Sequence, residues 1–279
     1  MSASADLAHA LTPEIDAAEA QFRRQKQREA WRRRILPCLG IGIGIGVWEA
    51  IVAFLKVPPF IAPAPLVVVQ TFISKFDVLM NNLWPTVIEA IGGFVIGNIF
   101  AVLLATAFVH RKTLSETFFP LVVLINSIPV VAKAPILVLM LGNGFAPKIV
   151  IAAVICFFPT LVNMVRGLES VNPQAMELMH VLSASKGEVF WKLRLYNSLP
   201  YLFSALRISA SIAVVGAIVG EWIGSNYGIG ALIIQSTYNF DSALLYATVF
   251  LGSVFSMLFF MTISLIERVV VRWQPPSVA

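Results

Sequence analysis

Six apolar runs divide the chain, at about residues 35–55, 84–109, 114–141, 147–165, 201–223 and 243–266, with polar breaks between them. A spanning helix needs roughly 20 mostly apolar residues, because every backbone N–H and C=O must be bonded internally where no water reaches. No run alternates apolar with polar positions as barrel strands do, so the pattern predicts an all-α polytopic membrane protein of about six transmembrane helices.

Three stretches depart from plain spans. Gly40, Gly42, Gly44 and Gly46 stand at every second position of the first run and predict a seam where another backbone approaches closely. "VPPFIAPAP" at residues 57–65 predicts a rigid, extended connector. "NSIPVVAKAPILVLML" at 126–141 carries Pro129 and Pro135 inside the third run, so that span must break or kink there.

The longest polar break, about residues 166–200, is patterned rather than random. Asn172 before Pro173 is an N-cap with proline at the first helical position, and Ser185 with Glu188 has the spacing of a capping box. Pro200 is placed to open the fifth span. Between the caps, Ala175, Leu178, Met179 and Leu182 fall at i, i+3, i+4 and i+7 and predict one apolar face. Such a helix either lies on the lipid interface or docks on a partner.

Composition agrees with the pattern: 58% of residues are hydrophobic, 13% are charged, and the mean hydropathy is +0.83. A net charge of +5 in a soluble chain would suggest nucleic acid. Here the bilayer is the partner, because the charges sort by side. Fifteen of the 20 Lys and Arg residues lie in the N-terminal arm, at Arg111 and Lys112, in the polar island (Arg166, Lys186, Lys192, Arg194), or at Arg268 and Arg272. The alternate loops hold only Lys56, Lys75 and Lys148, so the positive-inside rule predicts cytoplasmic termini. The expected organisation is a basic cytoplasmic arm at 1–34, a membrane domain at 35–272 and a short tail at 273–279. The first run, about 20 residues long with no A-x-A site after it, reads as a retained anchor.

Polar residues within spans are the first candidates for a solute path. Lys133, between the two prolines, faces either an aqueous path or the interface. Glu221 sits near the outer end of the fifth run, and Asn126, Pro129 and Phe157 complete the candidate set. Arg207 reads as an interfacial anchor or a partner of loop acids. Cys38 and Cys156 have no ligand-type spacing, so neither a metal site nor a disulfide is expected. The chain contains no G-x-x-x-x-G-K-[ST] phosphate loop and no H-E-x-x-H or G-x-S-x-G element, so no enzyme activity is expected of it.

"ELMHVLSASKGEVFWKLRLYNSLP" resembles the EAA loop of permease subunits of bacterial ABC importers, written E-A-A-x3-G-x9-I-x-L-P. Glu177 matches the acid, Leu193 and Leu195 match the aliphatic positions, and Ala184-Ser185 match residues that often follow the glycine. Leu178 and Met179 replace the alanines, Ser183 replaces the glycine, and Tyr196 stands where proline is usual. Residues 57–272 as a whole resemble the branch that imports nitrate, sulfonates, taurine and pyrimidine- or riboflavin-type vitamin precursors.

That resemblance implies a type I importer permease in a bacterial inner membrane, working as a homodimer with an ABC ATPase subunit dimer and an extracytoplasmic substrate-binding protein. It implies ATP and Mg on the ATPase and no cofactor in this chain. It also implies that Glu177, Leu178, Met179, Leu182, Ser183, Ala184 and Ser185 form the surface that couples to the ATPase. Two rival readings stay open, an ion-coupled secondary transporter and a membrane scaffold that recruits a cytosolic partner.

Overall fold

The computed structural model describes residues 35–272 together with Gln25, Lys26, Arg28, Trp31 and Arg32, so the arm and tail lie largely outside the described residues. The chain forms two units that divide between Val67 and Val68. In the first, α1 (Ile35–Phe54) runs unbroken through its four glycines. The proline-rich stretch that follows closes a turn, with the Ile61 and Ala62 N–H groups donating to the Pro58 carbonyl.

The second unit follows α2 (Pro65–Ser74) with α3 (Phe76–His110), α4 (Lys112–Ser127), α5 (Val130–Leu141), α6 (Phe145–Glu169) and α7 (Pro173–Val181). Next come α8 (Lys186–Val189), α9 (Leu195–Glu221), α10 (Ile229–Tyr238) and α11 (Ser242–Val270). No strand occurs among the described residues. Five helices are long and apolar enough to cross a membrane, or six with the bent α4–α5 pair counted as one span.

α3, α6 and α9 form the centre of this unit, and α11 packs on α9. Small residues make the approach possible. A Cβ at Gly93 or Gly97 of α3 would collide with Ala152 or Ala153 of α6, and one at Gly216 of α9 would meet Ala152 from the other side. Two G-x-x-x-G motifs, Gly93 with Gly97 and Gly216 with Gly220, thus clasp α6 between them, bringing backbones into van der Waals contact where lipid gives no hydrophobic drive. The opposite face of α3 carries exposed Ile88, Ile91, Val95, Ile99 and Leu103, a surface suited to lipid.

Polar side chains tie the same three helices at mid-span. Thr160 Oγ1 donates to Asn98 Oδ1 and lies 3.0 Å from Ser209 Oγ, and Cys156 Sγ donates to the Ser209 carbonyl at 3.3 Å. Cys156 is a small buried packing residue, as its sequence context suggests.

Three expectations need correction. The third span breaks at Ile128–Pro129, where α4 and α5 bend by 98°, whereas Pro135 is carried inside α5. Pro200 does not open the fifth span, because the capping box already starts a helix at Lys186 that continues through a π-helical turn (Phe190–Arg194) into α9. Arg207 pairs with Glu267 of α11 at 3.1 Å and, among the described residues, with no loop acid. The short apolar helix α10 had no counterpart among the predicted spans.

Candidate functional site

The polar island folds as its caps dictate. Asn172 Oδ1 accepts from the Gln174 N–H at 2.9 Å with Pro173 at the first helical position, which starts α7. Ser185 Oγ accepts from the Glu188 N–H at 3.3 Å, and the Ser185 N–H donates to Glu188 Oε2 at 3.0 Å, which starts α8. Between them the chain reverses at Ser183, whose φ of 51° lies in the left-handed region. That conformation explains why the signature places glycine here, since a Cβ is disfavoured.

The apolar residues of α7 divide into two faces. Ala175, Met176 and Met179 are half-buried against the chain, while Leu178, Val181 and Leu182 are 59%, 75% and 66% exposed. The single face expected from spacing is therefore rotated: Ala175 and Met179 turn inward, and Val181 joins Leu178 and Leu182 outside. Glu177 and Ser183 lie on the exposed side, Ala184 is half-buried, and Leu193 and Leu195 are half-buried where the π turn enters α9. Trp191 stands exposed nearby.

The candidate path residues do not form one site. Asn126 and Phe157 come together, with Phe100 and Phe158, in a cavity of about 450 Å³ between α3, α4 and α6. Pro129 marks the bend between α4 and α5, and Lys133 lies half-buried one turn into α5, with no ion pair among the described residues.

Glu221 belongs to a separate cluster at the ends of the spans farthest from the polar island. Its carboxylate accepts from Thr86 Oγ1 and from the Gly230 N–H, both at 2.6 Å, and the Ile229 N–H donates to Thr86 Oγ1 at 2.9 Å. The first turn of α10 therefore points its N–H groups at a carboxylate and a hydroxyl, the arrangement a helix N-terminus favours.

Beside it, Lys148 Nζ lies 3.4 Å from Glu89 Oε1 and donates to Ser225 Oγ at 2.7 Å. Glu89, Lys148 and Glu221 are buried, at 0%, 6% and 1% exposure. Lys148, expected in a loop, is thus part of the interior, and Glu221 ties α9 to α3 and α10 rather than facing open space. Lys148 and Thr86 carry no local signal of the cluster in the sequence, because the partners they meet in it lie 59 to 143 residues away.

The description of one protein family, "Binding-protein-dependent transport system inner membrane component", matches residues 97–274. The formylaminopyrimidine transport permease protein ThiX of Halalkalibacterium halodurans is 31% identical over 229 residues, covering 82% of this chain and 91% of that one. The riboflavin transport system permease protein RibX of Chloroflexus aurantiacus is 30% identical over 257 residues, covering 90% and 94%. Among solved structures, an inward-facing form of the MetNI methionine ABC transporter superposes with a TM-score of 0.58 at 24% identity, over 71% of this chain and 98% of that one. The fold is therefore that of type I ABC importer permeases.

Proposed function

The chain belongs to the family of binding-protein-dependent transport system inner membrane components, and from that premise we propose how it works as an ABC importer permease. In this reading two copies enclose the solute path, an ATPase subunit docks on α7 of each copy, and a separate binding protein delivers solute from outside. The island end of the spans, with both termini, faces the cytoplasm of a bacterial inner membrane, and the Glu89–Lys148–Glu221 end faces outward. ATP and Mg reside on the ATPase. The observation that carries this reading is the exposed face of α7, where Leu178, Val181 and Leu182 stand outward on a helix capped at its start. Three large aliphatic side chains left in water on a rigid, charged loop fit a partner groove better than solvent.

The mechanism follows from rigidity. α8, the π turn and α9 form one continuous helical path from Lys186 to Glu221, so a displacement of α7 and α8 is transmitted along a single rod. Closure of the ATPase pair draws the two α7 helices together and shifts the population from inward-open to outward-open. Hydrolysis resets it.

For the solute, a vitamin precursor of pyrimidine or riboflavin type is the reading best supported. The cavity walled by Phe100, Phe157 and Phe158, with Asn126 as a polar handle, suits a flat heterocycle, and the names of the two relatives point to the same class. The test is ATP-dependent uptake into proteoliposomes holding the full complex, with a formylaminopyrimidine, riboflavin and taurine supplied in turn. Uptake of a heterocycle that stops without ATP supports the proposal. Uptake of taurine alone would overturn the solute assignment, and uptake driven by an ion gradient without the ATPase would favour a secondary transporter.

A further inference from the structure

A second feature lies beside α7, on the flank turned away from its exposed apolar face. A cavity of about 400 Å³ opens between the last turn of α3, α7 and the π turn. His110, His180, Lys186 and Arg194 line it, with Val189 and Phe190 forming part of an apolar wall, and no carboxylate borders it among the described residues. Neighbouring lysines are paired: Lys112 Nζ lies 3.8 Å from Glu116, and Lys192 Nζ lies 2.9 Å from Glu188. The four groups of the cavity make no ion pair among the described residues. His110 Nδ1 donates to the Thr106 carbonyl at 2.8 Å and its ring packs 5.0 Å from Phe190, which leaves Nε2 uncommitted.

Convergent, unpaired nitrogen donors in a partly enclosed space raise the local positive potential, and an anion relieves it. A guanidinium fork with an ammonium beside it matches phosphate oxygens, whereas an inorganic halide would leave most donors unused. The apolar wall adds room for the body of an ester. We propose that this cavity binds the phosphate group of an amphipathic phosphate ester, supplied either by an anionic phospholipid headgroup or by a soluble phosphate compound. Bound there, the phosphate bridges α3, α7 and the π turn and stiffens the joint through which α7 moves. That mechanical consequence rests on the coupling reading above; the binding itself does not.

The test uses the full-length protein, purified gently with its partners, and native mass spectrometry with phosphatidylglycerol and phosphatidylcholine supplied together. Wild type should retain phosphatidylglycerol over phosphatidylcholine, and Lys186→Gln with Arg194→Gln should lose that preference by roughly 25-fold, about fivefold for each basic residue removed. Lys112→Gln, outside the cavity, should leave it unchanged, and Lys186→Arg should keep it. If millimolar inorganic phosphate displaces the lipid or binds in its place, the soluble source is favoured; if it does not, the headgroup is. Equal retention by wild type and the double variant, with no phosphate bound to either, overturns the proposal, as does an equal loss in Lys112→Gln. Should the double variant fold poorly, Lys186→Gln alone, at an exposed position, serves instead, with a roughly fivefold loss expected and an unchanged preference counting against the site. Recovery of the ATPase from the same samples reports separately on docking, so failure of either reading is seen alone.

Discussion

At the far end of the spans, Lys148, Glu89, Glu221 and Thr86 tie α3, α6, α9 and α10 through buried polar contacts between residues as much as 143 apart. At the island end, α7 and α8 are held by caps that reach two or three residues, and Leu178, Val181 and Leu182 face away from the chain. One end is locked from within, and the other, in the proposed reading, is completed by a partner. A transport subunit driven from one side needs this asymmetry: a stiff bundle to carry a displacement and a detachable surface to receive it.

The comparison breaks most sharply at Lys148. Lys148→Ala leaves two carboxyl groups buried without their cation and should cost about 3–5 kcal/mol, read as a large fall in Tm of the purified protein. Gly228→Ala should follow, because φ at Gly228 is 113° and a Cβ would collide with the Glu221 carboxylate. A loss of about 2 kcal/mol or more is expected from strain plus the broken contact, again as Tm. If either variant melts like wild type, the far end is not a lock.

At the island end the expected effects on stability are smaller and the effects on partnership larger. Ser183→Gly should stabilise the protein by about 1 kcal/mol, since glycine adopts a left-handed φ without penalty, whereas Ser183→Val should destabilise it. Asn172→Ala should cost about 1 kcal/mol through loss of the cap, measurable as faster hydrogen exchange in α7.

The smallest effect concerns Asp241, which caps α11 and pairs with Lys75 at 2.7 Å. The Lys75 ammonium, helped by the Leu244 N–H, holds the Asp241 carboxyl below its usual range. A depressed folded value means the pair stabilises the protein above the ordinary carboxylate range near pH 4, and that stabilisation is lost as pH falls through the depressed value. Asp241→Asn keeps a capping oxygen and removes the pair, so it should cost less than about 1 kcal/mol at neutral pH, because both groups are partly exposed and solvent screens them.

The same asymmetry decides what could be read from sequence. Asn172-Pro173 and Ser185 with Glu188 declare themselves because capping is a short-range event, and the spans declare themselves because lipid demands long apolar runs. The position of Ser183 in the signature marks a turn whose φ the structure makes concrete. The far-end lock was illegible, since no spacing rule joins Lys148 to Glu89 or Thr86 to Glu221. Lys148 sorts with the loop charges in sequence because it lies near the start of its apolar run, three residues into α6. The glycines of α1 drew attention by their density, yet the contacts in the second unit depend on Gly93, Gly97, Gly216 and Gly220, spaced by four and therefore on one helical face. Periodicity also misjudged α7, where two apolar faces back to back read as one.

The most direct test is to purify the protein gently from its native membrane and identify the subunits that accompany it, for wild type and for Glu177→Arg with Leu182→Asp. Both substitutions lie on the exposed side of α7, so the fold should survive, with Tm close to wild type. The account predicts a P-loop ATPase subunit with the wild type and its loss, by tenfold or about 1.4 kcal/mol and more, from the variant. An ATPase recovered equally with both proteins, or with neither while the permease copies stay together, would contradict it.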